Sequence, residues 1–195
     1  MPDDSRPTDI LDFWFLPADD PRHGKPRSEW FLKDTAFDAA IRTRFLPAVD
    51  AALAGGLADW EASPRSALAL LILLDQFPRN LFRGTARAFA GDAGARSLAD
   101  AVIARGWAQP MRSVEQVFVY LPFEHSEALA DQERAVALFG ALAERNPDTS
   151  GYLDYARKHR EVIARFGRFP HRNAALGRAS TTEEVAYLAQ PGSGF

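Results

Sequence analysis

The fold is decided by the segment SPRSALALLILLDQF, residues 63–77. Serine followed by proline is typical of a helix start, because serine caps the helix and proline suits its first position. The residues that follow are apolar on every side of a helix, so we expect a central, buried helix over about 64–77. The apolar run Ala67–Leu74 falls well short of the ~20 residues that a membrane span requires. No membrane segment is therefore expected.

The rest of the chain repeats its apolar residues every three or four positions, which is typical of amphipathic helices. No segment alternates with period two between hairpin turns, so strands are not expected. The expected helix starts are Thr8, Asp34, Asp92, Ser113 (in a capping box with Gln116), Asp131, about residue 150, and Ser180 in a second capping box with Glu183. Short connections favour antiparallel neighbours. The sequence predicts an all-α chain of stacked antiparallel helical hairpins, in a single domain over residues 1–195.

The amino-acid composition excludes several classes of protein and site. The 195 residues are 47% hydrophobic and 25% charged, which is ordinary globular usage and argues against disorder. A net charge of −3 argues against non-specific nucleic-acid binding. Cysteine is absent, which excludes disulfides, thiolate metal sites and a cysteine nucleophile. The acidic start of the sequence does not resemble a secretory signal, so we expect a soluble cytoplasmic protein.

Several familiar sites are missing from the sequence. There is no glycine-rich phosphate loop, no dinucleotide fingerprint and no Gly-x-Ser-x-Gly elbow. A di-iron site in a helical bundle needs Glu-x-x-His motifs, and no histidine here has a glutamate three positions before it. We therefore expect no metal site and no cofactor.

Two histidines lie on apolar helix stripes. His125 continues a stripe that begins at Val114, and Pro122 predicts a kink or restart just before Phe123. His159 lies on a second stripe, which also carries Tyr152, Tyr155, Val162, Ile163 and Phe166. A buried imidazole needs a hydrogen-bonding partner. The plausible partners are Glu124, Glu127, Asp75 and Tyr120. Either these are core histidines with satisfied hydrogen bonds, or His125 or His159 is a catalytic base oriented by Glu124 or Glu127.

A carboxylate stands at the buried end of the central helix. Asp75 follows the apolar run and requires a cation or several donors. Arg79 lies four residues on, although Pro78 makes helical spacing uncertain. One interpretation is a buried ion pair that closes a helix end. The other makes Asp75 and Arg79 part of a ligand site.

A basic segment runs from Arg157 to Arg178 in an otherwise acidic chain. Within it, the glycine and proline of residues 166–173 predict a shaped loop that carries Arg168, His171 and Arg172. Arginine in such a loop suits a carboxylate or phosphate ligand. The alternative is that these arginines cap helix ends or pair with acidic neighbours.

These polar residues fall in three long motifs. The motifs are LDQFPRNLFRG at 74–84, YLPFEHSE at 120–127 and FGRFPHRN at 166–173. They resemble the hallmarks of the bacterial DUF924 family, and so do LGRASTTEE at 176–184, ILDFWF at 10–15 and Trp30-Phe31. The resemblance covers essentially the whole chain. It implies a bacterial protein with a right-handed helical array related in shape to tetratricopeptide repeats. It transfers no catalytic residues, because the family is named for its unknown function.

Three hypotheses follow for the function. The first is a binding module for a small anionic ligand or a peptide terminus, with Arg79, Arg168, Arg172 and Arg83 as anion contacts. The second is a hydrolase or lyase that uses a His/Glu acid–base pair. The third is a structural or partner-binding protein whose polar motifs only lock helix ends together. No nucleic acid and no membrane is expected as a partner.

Overall fold

A computed structural model describes residues 6–193, and all regular secondary structure in that range is helical. The prediction of an all-α fold is confirmed. The α-helices are α1 (Pro7–Phe15), α2 (Thr35–Leu53), α3 (Pro64–Leu71), α4 (Phe77–Leu81), α5 (Asp92–Ala104), α6 (Ser113–Glu124), α7 (Leu129–Arg145), α8 (Ser150–Phe166) and α9 (Thr182–Leu188). Short 3₁₀ turns lie at Ser28–Trp30, Ala58–Ala62, Ala86–Phe89, Pro147–Thr149 and Pro170–Arg172.

The described chain divides into two compact units. Unit 1 comprises residues 6–83 and 87–122, and unit 2 comprises residues 84–86 and 123–193. The division falls inside α6, after Pro122. That helix runs through Pro122 to Glu124. Of the two outcomes expected just before Phe123, the restart therefore does not occur, and the kink stays a prediction. Independent folding of residues 1–195 as one domain stays a prediction.

Unit 1 is organised by the predicted central helix. The Ser63 hydroxyl accepts a hydrogen bond from the Ser66 amide, and Pro64 takes the first position of α3. The residues from Ala67 to Phe77 are buried, as their apolar character predicts. They are not uniformly α-helical, because Ile72–Gln76 forms a π-helical turn between α3 and α4.

The π turn follows from a proline. In an α-helix the amide of residue 78 would donate to the carbonyl of Leu74, but Pro78 has no N–H. The backbone widens instead, and the amide of Phe77 donates to the carbonyl of Ile72, five residues back. The helix therefore continues past Phe77 as α4 with Pro78 in its first turn, where proline is tolerated.

Aromatic side chains fill the core of unit 1. Trp14 and Phe118 are almost fully buried, and their rings meet edge to face at 5.4 Å. The Trp30 indole N–H donates to the Trp14 carbonyl over 2.9 Å. Further ring contacts join Phe13, Phe15, Phe37, Phe45 and Phe77. The pairs contribute about 0.5–1.5 kcal/mol each beyond their buried area.

Unit 2 contains a helical hairpin made by α7 and α8. Phe139 stacks on Tyr152 at 6.3 Å, while Arg160 approaches Glu133 at 3.9 Å. The contact further along α8 therefore involves the earlier residue of α7, so the two helices are antiparallel. The predicted helix over about 150–166 is confirmed.

The structure confirms some of the predicted helix starts and contradicts others. Asp34 caps α2 as expected, since its side chain accepts from the amides of Ala36 and Phe37. The prediction for Thr8 was wrong, because α1 begins at Pro7 with Arg6 as its cap. Proline at the first position fixed the helix start ahead of the threonine.

The later caps are displaced by one to three residues. Asp131 lies in the first turn of α7, whose cap is Ala128, and its carboxylate accepts a hydrogen bond from Ser126. The final capping box joins Thr181 to Glu184 instead of Ser180 to Glu183. The capping-box pattern fits both Ser180 with Glu183 and Thr181 with Glu184, and the burial of Glu184 favours the observed pair.

Across residues 6–193 we find no helix that is both long and apolar enough to span a membrane.

Candidate functional site

Two of the three polar motifs meet in unit 2. Glu124 is the last residue of α6 and His125 follows it, His159 lies in the middle of α8, and the third motif supplies the 3₁₀ turn Pro170–Arg172. We name their common part the histidine cluster, which consists of Glu124, His125, His159, Phe169, His171 and Arg172. The sequence predicted five of these six residues as candidates; Phe169 was not among them.

His159 is held by two oxygen atoms. Its Nδ1 lies 2.9 Å from the Tyr155 carbonyl oxygen and 3.1 Å from Oε1 of Glu124. Of the four partners suggested by the sequence, the structure selects Glu124. Tyr155 contributes through its backbone, and its side chain is exposed, so its predicted place on the buried stripe was wrong.

The surroundings of His159 disfavour its charged form. Burial lowers its pKa to about 3, and electrostatic repulsion from His125, His171 and Arg172 acts in the same direction. The hydrogen bond to the Tyr155 carbonyl opposes this shift without reversing it. His159 is therefore neutral at physiological pH.

Phe169 is the apolar centre of the cluster. Its ring is fully buried and meets the His159 ring edge to face at 5.6 Å. The His171 ring lies 5.4 Å away, and the Arg172 guanidinium carbon stands 4.5 Å from the ring centroid. A cation over an aromatic face is stabilised by about 0.5–2 kcal/mol, depending on its desolvation.

The cluster has a buried side and an accessible side. Glu124, His159 and Arg172 are buried, whereas His125 and His171 are half-buried. The His125 and His159 rings are 6.5 Å apart. The solvent-accessible part of the cluster therefore consists of His125 and His171.

Glu127 supports the loop that carries the cluster. Its carboxylate accepts from the Phe169 amide at 2.8 Å and from both terminal nitrogens of Arg178, at 2.7 and 2.9 Å. Arg178 also donates to the Phe169 carbonyl and to the Asn173 side chain. Burial acts to raise the pKa of Glu127, but Arg178 and the Phe169 amide outweigh it, and the pKa is lowered. Glu127 thus pairs with an arginine, and its suggested role in orienting a histidine stays a prediction.

Arg168 belongs to a second ion pair of the same loop. Its Nε and Nη2 donate to the two carboxylate oxygens of Glu184 at 2.6 and 2.8 Å, and Nη2 also donates to the Ala179 carbonyl. The Asn173 amide donates to Glu184 as well. This geometry favours the alternative in which Arg168 pairs with an acidic neighbour. Its predicted contact with an external anion stays a prediction.

Gln132 is a buried neighbour of the cluster that sequence reasoning missed. Its side chain is fully buried, and Nε2 donates to the carbonyls of Glu124 and Ser126 at 2.6 Å each. These bonds fix the end of α6 and hence the position of His125. A signal was present, because Gln132 precedes Phe139 by seven residues and so falls on the inward stripe of α7.

Asp75 and Arg79 lie in unit 1. Arg79 Nη1 is 3.2 Å from Oδ1 of Asp75, so the predicted pairing holds across Pro78. The guanidinium also binds Asp92 through two nitrogens, a partner that the sequence did not indicate. Burial acts to lower the pKa of Arg79, but the two carboxylates outweigh it and raise the pKa. The arrangement favours a buried ion pair at a helix end, and its role in ligand binding stays a prediction.

Arg83, the remaining predicted anion contact, also pairs within unit 1. Its guanidinium donates to both carboxylate oxygens of Asp38 at 3.0 Å. The Asn80 amide donates to the same aspartate at 2.7 Å. The second half of the 74–84 motif therefore ties α4 to α2.

Among the described residues, no group of three or more His, Cys, Asp or Glu side chains is arranged to hold a metal ion. Unit 1 has an open groove of about 270 Å³, lined mainly by small apolar residues with Glu61 at its edge. None of the predicted site residues lines that groove.

Comparison with known proteins identifies the family of the chain. The family model for DUF924, described as a bacterial protein of unknown function, matches residues 10–192. The solved structure of a protein of unknown function, ATU0120 from Agrobacterium tumefaciens, is similar with a TM-score of 0.82 and 45% identity. The alignment covers 94% of this chain and 96% of that one. No curated protein matches the chain.

Proposed function

Because the chain belongs to the DUF924 family, whose description assigns no activity, we propose its function from the histidine cluster: it binds a small anionic ligand there. The observation that carries this proposal is that His125, His171 and Arg172 lie close to His159, which itself contacts the carboxylate of Glu124. His125, His171 and Arg172 all act electrostatically on His159. Such a concentration of cationic and protonatable groups suits a carboxylate or phosphate.

The accessible groups of the cluster are hydrogen-bond donors. His125 and His171 are half-buried, and both rings donate through two nitrogens when they are protonated. Arg172 behind them cannot lose its charge. A bound anion would favour protonation of both histidines, because an opposite charge within a few ångströms stabilises the imidazolium form.

The ion pairs around the cluster support binding by holding it in place. Glu127 and Arg178 fix both backbone polar groups of Phe169. Arg168 and Glu184 tie the same loop to α9. A site on a rigid frame loses less conformational entropy when it binds a ligand.

The test is calorimetric titration of the full-length protein with inorganic phosphate and with citrate. We expect His125→Asn and His171→Asn each to weaken binding by about ten-fold or more, the loss expected for one charge-assisted hydrogen bond. The matched control is His23→Asn, because His23 is a half-buried histidine of unit 1 that contacts the Leu16 carbonyl. If neither anion binds, or if the cluster variants bind like the control, the proposal is wrong.

A second candidate function is acid–base catalysis, which the contact between Glu124 and His159 favours. A carboxylate beside one ring nitrogen leaves the other nitrogen as a base. The low pKa of His159 weakens this candidate, because a general base works best with a pKa near the operating pH. Hydrolysis of an ester or phosphate ester that Glu124→Gln abolishes, with anion binding retained, would favour catalysis over binding alone.

We also propose that the helical hairpins follow a right-handed, tetratricopeptide-like arrangement and that the protein acts in the bacterial cytoplasm. The antiparallel pair α7 and α8 supports the first point. A cysteine-free composition is compatible with the second. Fractionation of cells that express a tagged full-length chain tests the location.

A further inference from the structure

The groove of unit 1, about 270 Å³ in volume, is a cavity that the histidine cluster does not use. Four elements form it: the end of α2, the 3₁₀ turn Ala58–Ala62, the end of α3 with the π turn, and the start of α5. Leu70 and Leu74 are buried and form its floor, whereas Glu61 and Gly94 are exposed at its mouth. The groove is therefore an apolar depression that is open to solvent.

Glu61 gives the groove a negative charge. Among the described residues that line it, Glu61 alone is charged, and the other lining residues are alanine, leucine or glycine. Within residues 6–193 the Glu61 carboxylate takes part in no ion pair or hydrogen bond. Arg105 donates to the backbone carbonyl of Glu61 and lies over the Trp107 ring, so it is held by neutral groups.

The C-terminus of α2 is a second source of negative potential. Leu53 is the last residue of that helix and lines the groove. The carbonyl groups at a helix C-terminus together carry about half a negative charge, which a cation complements. The last turn of α2 contains no basic residue, whereas the start of α5 already has the acidic Asp92 in its first turn. The charges around the groove therefore favour a cationic ligand over an anion.

Gly94 keeps the groove open. Its backbone is α-helical, and glycine is among the poorest helix formers. Packing does not require a glycine here, because an added Cβ atom would meet only the Cδ1 atom of Leu74, at an ordinary 3.7 Å. Both residues line the groove, so a side chain at position 94 would occupy space in it. A residue that opposes its local structure without a packing reason is typical of a functional site.

We propose that this groove binds a small aliphatic amine, whose ammonium group lies beside Glu61 and the C-terminus of α2 and whose alkyl chain packs on Leu70 and Leu74. The site goes beyond the proposed anion-binding function, because it lies in unit 1 and shares no residue with the histidine cluster. Its volume is just below the usual range of ligand pockets, about 300–1,000 Å³, and so suits a small molecule. A stable protein partner would require an interface of more than about 1,000 Å².

The experiment is an NMR titration of the full-length protein, labelled at its leucine methyl groups, with pentylamine, pentan-1-ol and pentanoate at pH 7. We expect pentylamine to shift the Leu70 and Leu74 resonances and to bind more tightly than its neutral and anionic analogues. Each added methylene from ethylamine to pentylamine should strengthen binding by up to about four-fold, the gain for one buried CH₂ group. Equal affinities for the three ligands, or no dependence on chain length, would overturn the proposal. Tighter binding of Nα-acetyl-lysine amide would overturn the choice of a free amine.

The charge is tested by Glu61→Gln. This variant should bind pentylamine about two- to five-fold more weakly, as expected for an exposed ion pair, and should bind pentan-1-ol as the wild type does. The matched control is Asp59→Asn, which removes a carboxylate of the same 3₁₀ turn that does not line the groove. An equal loss of pentylamine affinity in both variants would contradict a specific role for Glu61.

The space is tested by substitutions of Gly94. Gly94→Leu should abolish binding of both pentylamine and pentan-1-ol, whereas Gly151→Leu, at an exposed glycine in the first turn of α8, should not. Gly94→Ala adds a single methyl group and should weaken binding without lowering the free energy of unfolding, which separates lost space from a lost fold. Wild-type affinity in a folded Gly94→Leu variant, or in Gly94→Ala if the leucine variant does not fold, would overturn the site.

Discussion

The closest backbone approach at any described glycine lies between Gly91 and Leu74. A Cβ atom added at Gly91 would lie 2.2 Å from the Leu74 carbonyl oxygen and 2.9 Å from its carbonyl carbon. Both neighbours are backbone atoms of the π turn, so no side-chain rotation can relieve the overlap. Gly91 has φ −90°, which alanine adopts readily, so the effect of a substitution here is steric alone.

We therefore expect Gly91→Ala to destabilise unit 1 by about 3 kcal/mol, at the upper end of ordinary overpacking costs. The matched control is Gly94→Ala, three residues on in α5. Its added Cβ would meet only the Leu74 side chain, at 3.7 Å, which is ordinary contact. Alanine there should be neutral or stabilise the helix by up to about 1 kcal/mol, because glycine is the poorer helix former.

The assay is urea unfolding of both variants and the wild type, followed by far-ultraviolet circular dichroism. The two substitutions add the same methyl group within one turn of each other, so their difference isolates the contact with the Leu74 backbone. Equal midpoints for Gly91→Ala and Gly94→Ala would refute the close approach. They would also weaken the assignment of the π turn, because that turn sets the position of the Leu74 carbonyl.

Three further predictions concern charged side chains. Glu127→Gln should lower the free energy of unfolding by about 2 kcal/mol, because it weakens the charged bonds from Arg178, and a double-mutant cycle with Arg178→Ala should show coupling of that order. Asp34→Ala should cost about 1 kcal/mol by removing the α2 cap, a loss of about 2–4 °C in Tm that Asp34→Asn should largely restore. Arg168 lowers the pKa of Glu184 to about 2 from 4.5, so its stabilisation is complete above pH 4.5 and is lost as the pH falls toward 2. Acid unfolding of Glu184→Gln should be less steep in that window, and an unchanged acid transition would contradict this account.

The sequence alone was sufficient to predict the all-α fold class and the positions of the main helices. Burial of residues 67–77 follows directly from an apolar run that leaves no polar face, and no long-range contact was needed to predict it. Helix α8 was placed within a residue or so because its stripe is long and regular. Helix starts were less accurate, since Ser180 and Thr181 both fit a capping pattern, and only the burial of Glu184 decides between them.

The partners of the candidate site residues depended on contacts far apart in sequence. Glu124 and Glu127 stand three residues apart and were equivalent as candidates for orienting a histidine. The structure gives Glu124 to His159, 35 residues away, and gives Glu127 to Arg178, 51 residues away. No local pattern distinguishes these pairings, because each depends on how α6 ends and on where the loop after α8 returns. Asp92 was missed because its partner Arg79 also lies in a different helix, whereas Gln132 could have been found from its place on the inward stripe of α7.

Glu124 and Glu127 lie in the same motif, at 120–127, but they have different partners. Glu127 is neutralised by a bidentate arginine and fixes the Phe169 backbone, so it leaves no charge for a ligand. Glu124 faces a histidine that its own environment keeps neutral, so the two side chains do not form an ion pair. A buried carboxylate requires nearby cations or hydrogen-bond donors if it is to be ionised. His125, His171 and Arg172 act electrostatically on His159, and they are also the groups that the proposed anion would contact. In the proposed function these three groups set how strongly the cluster attracts an anion, whereas Glu127 contributes only to the frame that holds the cluster.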